Sequence, residues 1–206
     1  LPTAIYQAEY EGLFVEGESM VFANYTNCQF DQWPKPQGQC YIGCDLGRSS
    51  DYTVAVVMDD RGQVIEIYRD NQKDWSFMIK NIEALARKYN AFLLVEENSM
   101  GTVIVEQLRK IWNRTEGFIT TNKSKQEIIE GLVLDFNEAN ISITSHELFP
   151  ELQNELDVFE MKYSPKSRSV IYAAREPFHD DLIIATALAN YRRKQRGGYV
   201  VMGSYR

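Results

Sequence analysis

Three short acidic segments each place a carboxylate beside an apolar run. They are Asp45 in YIGCDLGRSSDYT, Glu96 in FLLVEENSMG, and the pair Asp180 and Asp181 in FHDDLIIATALA. A carboxylate buried without a partner is costly, so such side chains usually accompany a cation. Carboxylate oxygens gathered from distant parts of a chain suit hard divalent ions such as Mg²⁺ or Mn²⁺. The segments therefore predict a divalent-cation site.

The elements around these acids determine whether they can meet. Asp45 and Glu96 each end a predicted strand, and open sheets bind ligands at the carboxyl ends of their parallel strands. Side chains alternate along a strand, so only one of Glu96 and Glu97 can face Asp45, and we choose Glu96. Asp180 and Asp181 open the last predicted helix, where N-capping and dipole compensation are the alternative role. Which of these two dominates is left open.

Two further polar residues adjoin the acids. Asn98 follows Glu96 in a predicted polar turn, and His179 directly precedes the acidic pair. Asn98 is expected to order the site from behind the carboxylates. His179 is expected either to support the site or to supply a proton, although a satisfied surface histidine is at least as compatible with the sequence.

The periodicity of the chain predicts how these elements are arranged. The turn-rich DQWPKPQGQ marks a boundary, so residues 1–38 are predicted to be a linker or extension packing on a domain formed by residues 39–206. That domain begins with three strands, followed by helix, strand, helix, strand and helix. This order predicts an α/β fold in which an antiparallel meander is continued by parallel strands, with helices on both faces.

Local signals predict several element boundaries. Asp74 is the expected N-cap of the helix DWSFMIKNIEALARKYN, and Ser124 that of SKQEIIEGLVLDFNEAN. GFITT and ISITS are predicted strands, the latter at an edge. Pro150 is expected to interrupt the helix HELFPELQNELDVF early, and EMKYSPKSRSVIYAA is expected to form a hairpin with a basic tip.

Composition excludes several classes of protein. No apolar stretch approaches the roughly 20 residues of a membrane span, and LPTAIYQAEYEG has no signal-peptide pattern, so we expect a soluble, unsecreted protein with no membrane partner. Three cysteines are an odd count, which disfavours a disulfide framework. The net charge of −7 disfavours bulk coating of nucleic acid but allows local basic patches.

Other site chemistries lack their motifs. There is no G-x-x-x-x-G-K-[ST] sequence to cradle phosphates and no G-x-S-x-G nucleophile elbow. Carboxylate sites with paired divalent ions are characteristic of phosphodiester cleavage. The acidic segments therefore favour hydrolysis of a phosphodiester over acyl chemistry.

The chain resembles the nuclease domain of bacteriophage large terminase subunits. The resemblance rests on Asp45 after a first strand, Glu96-Glu97-Asn98 after a fourth and His179-Asp180-Asp181-Leu182 opening a last helix, and also covers EYEGLFVEGESMVF and TTNKSKQEIIEGL. It implies a ribonuclease-H-like fold that cuts double-stranded viral DNA concatemers during genome packaging. It also implies that Asp45, Glu96 and Asp181 bind Mg²⁺ or Mn²⁺, as two ions, with Asp180 a possible further ligand.

The same resemblance implies partners and a location. Besides double-stranded DNA, these are an ATPase domain of the longer protein, a portal and a small terminase subunit, in the cytoplasm of the host cell. No ATPase motif occurs in this sequence. The basic clusters, whose alternative role is solvated surface, would then contact phosphates. The candidate DNA-binding residues are Lys123, Lys125, Lys162, Lys166 and Arg168.

Two other functions remain compatible with the sequence. One is another ribonuclease-H-like nuclease, such as a junction resolvase, which would prefer branched DNA. The other is a non-catalytic DNA- or protein-docking module of a packaging motor, in which the carboxylates serve only as helix and turn caps.

Overall fold

The structure, a computed structural model, describes residues 19–47, 52–71, 74–98, 101–164 and 169–195. Its strands are β1 (Ser19–Met20), β2 (Gln29–Phe30), β3 (Tyr41–Asp45), β4 (Thr53–Met58), β5 (Val64–Asp70), β6 (Phe92–Glu96), β7 (Thr115–Phe118), β8 (Ile143–Thr144), β9 (Phe159–Ser164) and β10 (Ser169–Ala174). Its α-helices are α1 (Trp75–Tyr89), α2 (Gly101–Ile111), α3 (Asn122–Asn137), α4 (Pro150–Val158) and α5 (Asp181–Lys194), and a 3₁₀ turn spans Tyr25–Cys28.

A five-stranded mixed sheet in the order β5-β4-β3-β6-β7 forms the centre of the domain. The strands β5, β4 and β3 pair antiparallel, whereas β3, β6 and β7 pair parallel. The predicted meander continued by parallel strands is confirmed. Cys44 lies opposite Val95 in the β3–β6 pairing, so Asp45 and Glu96, the next residue of each strand, end at the same edge of the sheet.

Each face of the sheet has its own apolar core. On β4, Val54 and Val56 face the core shared with α3, α4 and α5, whereas Ala55 and Val57 face the core shared with α1 and α2. This alternation is the period of two expected of a strand buried on both sides. The predicted helices on both faces of the sheet are therefore confirmed.

Residues on both sides of the predicted boundary near residue 38 contribute to the first of these cores. Phe22, Tyr25 and Cys28 pack there among residues of α3, α4 and α5. The strand β1 pairs antiparallel with β9, and β2 pairs in parallel with β8. The segment from 19 to 30 is thus held by side-chain packing and by backbone hydrogen bonds, and the division of the chain at residue 38 stays a prediction.

The helix α5 lies directly on strand β3. A Cβ atom added at Gly43 would stand 2.0 Å from the carbonyl oxygen of Ala185 and 2.3 Å from the amide nitrogen of Ala189. Only a residue without a side chain allows this approach of helix and strand backbones. The contact joins the element that ends at Asp45 to the element that begins at Asp181.

None of the described helices is both long and apolar enough to cross a bilayer.

Gly43→Ala is therefore expected to destabilise the fold by about 1–3 kcal/mol or more, because helix and strand must separate. Gly131→Ala on α3 is the matched control, since nothing lies within 4 Å of its added Cβ. That change is expected to be neutral or to stabilise by up to about 1 kcal/mol. Urea unfolding of both variants tests the difference, and equal midpoints would contradict the close packing.

Several predicted boundaries differ from the structure. The predicted N-cap Asp74 is confirmed, since its side chain accepts from the amides of Ser76 and Phe77. The predicted N-cap Ser124 is wrong: Thr121 caps α3, and Ser124 is the third helical residue, whose hydroxyl accepts from the Thr121 amide at 2.8 Å. Pro150 does not interrupt a helix but begins one, because a first-turn position needs no amide hydrogen.

The predicted strands near the end of the sheet also shift. The strand expected in GFITT begins earlier, at Thr115, and ends at Phe118. The segment ISITS contributes β8, which pairs with β2 outside the main sheet. The predicted hairpin is confirmed as the antiparallel pair β9 and β10. All three cysteines are buried and unpaired.

Candidate metal centre

Asp45 lies at the carboxyl end of β3 in an acidic environment. Its side chain is enclosed, with the residue only 8% exposed. Burial raises the pKa of Asp45 well above its usual range, and the charge of Glu96 together with a hydrogen bond shared with Glu96 raises it further. The charges of Asp181 and Asp180 contribute in the same direction, in that order. The other three carboxylates thus lie near enough to Asp45 to act on its charge.

The two acids of the last helix occupy different environments. Asp181 is the first residue of α5 and is 9% exposed, and its Oδ2 accepts from the backbone amide of Tyr52 at 3.3 Å. Asp180 is the residue before the helix, and its side chain caps no amide of α5. Its Oδ2 instead accepts from Lys125 Nζ of α3 at 2.7 Å. Asp181 is held by backbone, and Asp180 by an ion pair.

Asn98 orients the carboxylate of Glu96, whereas the side chain of Glu97 lies beside another helix. Asn98 Nδ2 donates to Glu96 Oε1 at 2.8 Å. Glu97 lies beside α2, where Arg109 approaches its Oε2 at 3.9 Å. Gly117 of β7 leaves room for it, since a Cβ there would stand 1.8 Å from Glu97 Oε2. The alternation of side chains along the strand therefore separates the two glutamates.

The histidine beside the acidic pair packs against a tyrosine. The rings of His179 and Tyr52 meet edge to face, with centroids 6.2 Å apart. Tyr52 also lies beneath the guanidinium of Arg69, 3.3 Å from the ring centroid. Since the Tyr52 amide donates to Asp181, the histidine packs on the same residue that holds the carboxylate of Asp181.

The donor set of this cluster fits a hard cation, although its side chains do not form a closed ligand shell. Among the described residues, no three histidine, cysteine or carboxylate side chains stand close enough together to enclose an ion. The four carboxylates supply only oxygen donors, and those of Asp45 and Asp181 are largely removed from water. Mg²⁺ and Mn²⁺ take oxygen ligands, and a bound cation would offset the burial and the like charges that raise the pKa of Asp45.

The candidate DNA-binding residues are dispersed around the fold. Lys123 is exposed at the start of α3, and Lys125 pairs with Asp180. Lys162 is exposed on β9, with its Nζ 3.3 Å from Glu160 Oε2. Lys166 and Arg168 lie outside the described residues, at the connection between β9 and β10. Of these candidates, Lys125 contacts the acidic cluster, through Asp180.

One acidic residue at the site was missed by the sequence reasoning. Glu155 of α4 is buried, and its Oε2 accepts from the backbone amide of Leu182 at 2.8 Å. Burial, and then the charge of Asp181, raises the pKa of Glu155 to about 8, while the amides of Leu182 and Ile183 and the guanidinium of Arg69 oppose the rise. Its helical spacing from Leu152 and Leu156 places Glu155 on the apolar side of α4, but the sequence does not show which groups it would contact there.

Glu155 and Arg69 also line a groove of about 470 Å³ beside the cluster. Glu151, Asp157 and His179 contribute to the same wall, so carboxylates outnumber cations along it. Asp157 is engaged from outside the groove, since the Tyr25 hydroxyl donates to its Oδ1 at 2.6 Å. The groove extends the acidic surface from the cluster towards α4.

Comparison with known proteins identifies the family of this chain. The model of the terminase RNaseH-like domain matches residues 42–191. Two curated proteins, each described as a terminase large subunit, from Thermus virus P23-45 and from Thermus phage G20c, are 25% identical over 215 residues. These alignments cover 97% of this chain and 43% of each relative, so the chain spans less than half the length of either.

Solved structures resemble the fold. The large terminase nuclease of thermophilic phage G20c with bound magnesium is 22% identical, with a TM-score of 0.74 over 84% of this chain and 96% of that one. The large terminase nuclease domain of Thermus phage P74-26 is 19% identical, with a TM-score of 0.68 over 88% and 99%. The large terminase nuclease domain of bacteriophage SPP1 with bound Mn is 18% identical, with a TM-score of 0.53 over 75% and 86%.

Proposed function

Because this chain belongs to the terminase RNaseH-like domain family, we propose that it is a divalent-metal-dependent endonuclease domain that cuts double-stranded DNA. The observation that carries the proposal is that the charges of Glu96 of β6 and Asp181 of α5 both act on Asp45, which is buried at the end of β3. These carboxylates would hold a divalent ion, which would supply activation of water for attack on a phosphodiester and stabilisation of its leaving oxygen.

We propose that Asp45, Glu96 and Asp181 hold Mg²⁺ or Mn²⁺, with Asp180 contributing to a second ion. The proposal is supported by the burial of Asp45 and Asp181 and by the like charges that converge on Asp45. Lys125 supplies a positive charge at this place through its ion pair with Asp180. Asn98 keeps Glu96 oriented, which lowers the cost of ordering it around an ion.

The substrate we propose is viral DNA joined end to end, cut as it is packaged into a capsid. The family and the large terminase relatives support this assignment. In the longer protein the domain would then work beside an ATPase domain, with a portal and a small terminase subunit as partners, in the cytoplasm of the host cell. The chain itself would supply the cutting step.

A plasmid-cleavage assay tests the proposal directly. Supercoiled plasmid should become nicked and then linear with Mn²⁺ or Mg²⁺, and chelation with EDTA should stop the reaction. A parallel arm with a four-way junction separates the alternatives, because a resolvase would strongly prefer it to linear duplex. Failure to cut any of these substrates in the presence of bound Mn²⁺ would favour a docking module over an enzyme.

The basic hairpin tip gives a prediction about DNA contacts. Replacing Lys166 and Arg168 with alanine is expected to weaken DNA binding and to reduce the slope of log affinity against log salt by about 1–2, since each phosphate contact contributes about 0.9. The matched control replaces Lys80 and Lys110, exposed on α1 and α2 on the opposite face of the sheet. Fluorescence anisotropy over a salt series, without a cleavage-supporting metal, measures both. Equal slopes for the two double variants would remove the hairpin from the interface.

A further inference from the structure

The first turn of α5 receives its hydrogen-bond acceptor from another helix. The first four amides of a helix have no partner within the helix, and a side chain at the N-cap usually accepts from one of them. The N-cap Asp180 makes no such bond. Glu155 of α4 replaces it, because its Oε2 accepts from the amide of Leu182 at 2.8 Å and from that of Ile183 at 3.4 Å.

Glu155 is itself held firmly in place. Its helix is anchored by Leu152 and Leu156, each 1% exposed in the core below α5. Gln153, between them, donates to the carbonyl oxygen of Thr144 and so ties α4 to β8. Because the helix cannot shift easily, the position of the Glu155 carboxylate is set by the core rather than by solvent.

The two amides bound by Glu155 belong to Leu182 and Ile183, the residues immediately after Asp181. Moving the first turn of α5 would therefore move the backbone of Asp181, whose side chain also depends on the amide of Tyr52. Catalytic groups displaced by about 1 Å can lose on the order of 100-fold in rate. The first turn of α5 thus has to be placed accurately if Asp181 is to act with Asp45 and Glu96.

We propose that Glu155 is a positioning residue, which fixes the first turn of α5 and thereby the carboxylate of Asp181 for metal binding. This inference rests on the proposed function. The proposal separates two properties of Glu155, namely the length that lets it reach the amides and the charge it carries. Positioning depends on reach, whereas direct binding of a cation depends on charge.

Two conservative variants separate reach from charge. Glu155→Gln keeps the length and an oxygen that accepts from an amide, but removes the charge. Glu155→Asp keeps the charge but shortens the side chain by one methylene, so that it no longer reaches Leu182. Glu151→Gln is the matched control, because Glu151 lies one turn earlier on the same helix and lines the same groove.

Three measurements follow on each variant and on the wild type. Hydrogen exchange of the Leu182 and Ile183 amides in the metal-free protein should accelerate about tenfold in Glu155→Asp and change little in Glu155→Gln. Mn²⁺ affinity by calorimetry should fall about tenfold in Glu155→Asp alone. In cleavage assays at saturating Mn²⁺, Glu155→Asp should lower kcat and leave KM for DNA unchanged. Glu151→Gln should match the wild type throughout.

The opposite ranking of the two Glu155 variants in Mn²⁺ affinity would overturn the proposal. If Glu155→Gln loses Mn²⁺ affinity while Glu155→Asp retains it, Glu155 is a metal ligand and not a positioning residue. Unchanged exchange at Leu182 and Ile183 in Glu155→Asp would also contradict it. The exchange measurement needs no metal and no DNA, so it tests the role of Glu155 even if the wild-type chain proves not to be a nuclease.

Discussion

Asp45→Asn is expected to slow metal-dependent DNA cleavage on the order of 100-fold or more, and also to raise the melting temperature of the metal-free protein. The first effect follows from losing a proposed ligand. The second follows because Asp45 is buried among like charges of Glu96 and Asp181, so its ionised form is costly without a cation. A gain of about 1 kcal/mol would raise the melting temperature by about 2–4 °C. Single-turnover cleavage and thermal melts with and without Mn²⁺ measure both.

Asp59→Asn is the matched control for this prediction. Asp59 is also buried, but its carboxylate accepts from the amides of Gln37, Arg61 and Gln63 at 2.9–3.0 Å. Its replacement removes a stabilising turn, so the melting temperature should fall rather than rise. Metal should stabilise Asp59→Asn and leave Asp45→Asn unchanged. If Asp45→Asn instead melts earlier and keeps its response to Mn²⁺, Asp45 is a structural aspartate like Asp59.

Strand periodicity is sufficient to predict part of the candidate site. Neighbouring parallel strands have their carboxyl ends at the same edge of a sheet, so two acids at those ends are expected to share an edge, as Asp45 and Glu96 do. The same period of two sends Glu97 to the other side, beside Arg109. These placements depend on local pattern and on strand pairing, which the order of strands and helices predicts.

Contacts between distant segments could not be predicted in this way. Lys125 and Asp180 are 55 residues apart, and their ion pair depends on how α3 packs against the start of α5. Glu155 is one of several acids on an amphipathic helix, and only the packing of α4 under α5 selects it for the amides of Leu182 and Ile183. No periodicity in the sequence records which helices touch.

Competing local signals explain the errors at helix ends. TTNKS offers both Thr121 and Ser124 as possible caps, and each side chain accepts from the other residue's amide, so the helix begins at the earlier one. Pro150 can break a helix or begin it, and composition alone does not decide between these roles. The structure favours the start because the preceding residues form turns.

A lysine balances part of the charge of the acidic cluster. Lys125 Nζ bonds Asp180 at 2.7 Å, and both side chains are about three-quarters buried. This cation offsets the charge of Asp180, whereas the charges of Glu96 and Asp181 still act on Asp45. The arrangement would therefore favour uptake of a divalent ion among those three, with Lys125 competing only for Asp180.

Asp181→Asn is accordingly expected to reduce the cleavage rate on the order of 100-fold, whereas Asp180→Asn is expected to reduce it only about tenfold. Asp181 is the better buried of the two, is oriented by the Tyr52 amide, and raises the pKa of Asp45 more than Asp180 does. Asp180 must first give up its ion pair with Lys125. Cleavage rates and Mn²⁺ affinities of the two variants test which substitution is the more damaging.

Lys125→Met provides the control that separates binding of metal from stability. In that background Asp180 is freed for a cation, so Mn²⁺ affinity should rise, while the metal-free fold should lose roughly 0.2–1 kcal/mol from the broken pair. Adding Asp180→Asn should then cancel the gain in affinity and cost no further ion-pair stability. If Asp180→Asn proves as damaging as Asp181→Asn, Asp180 acts as a principal ligand and the division of roles between the two acids is wrong. If Lys125→Met weakens Mn²⁺ binding, Lys125 does not compete with the ion for Asp180.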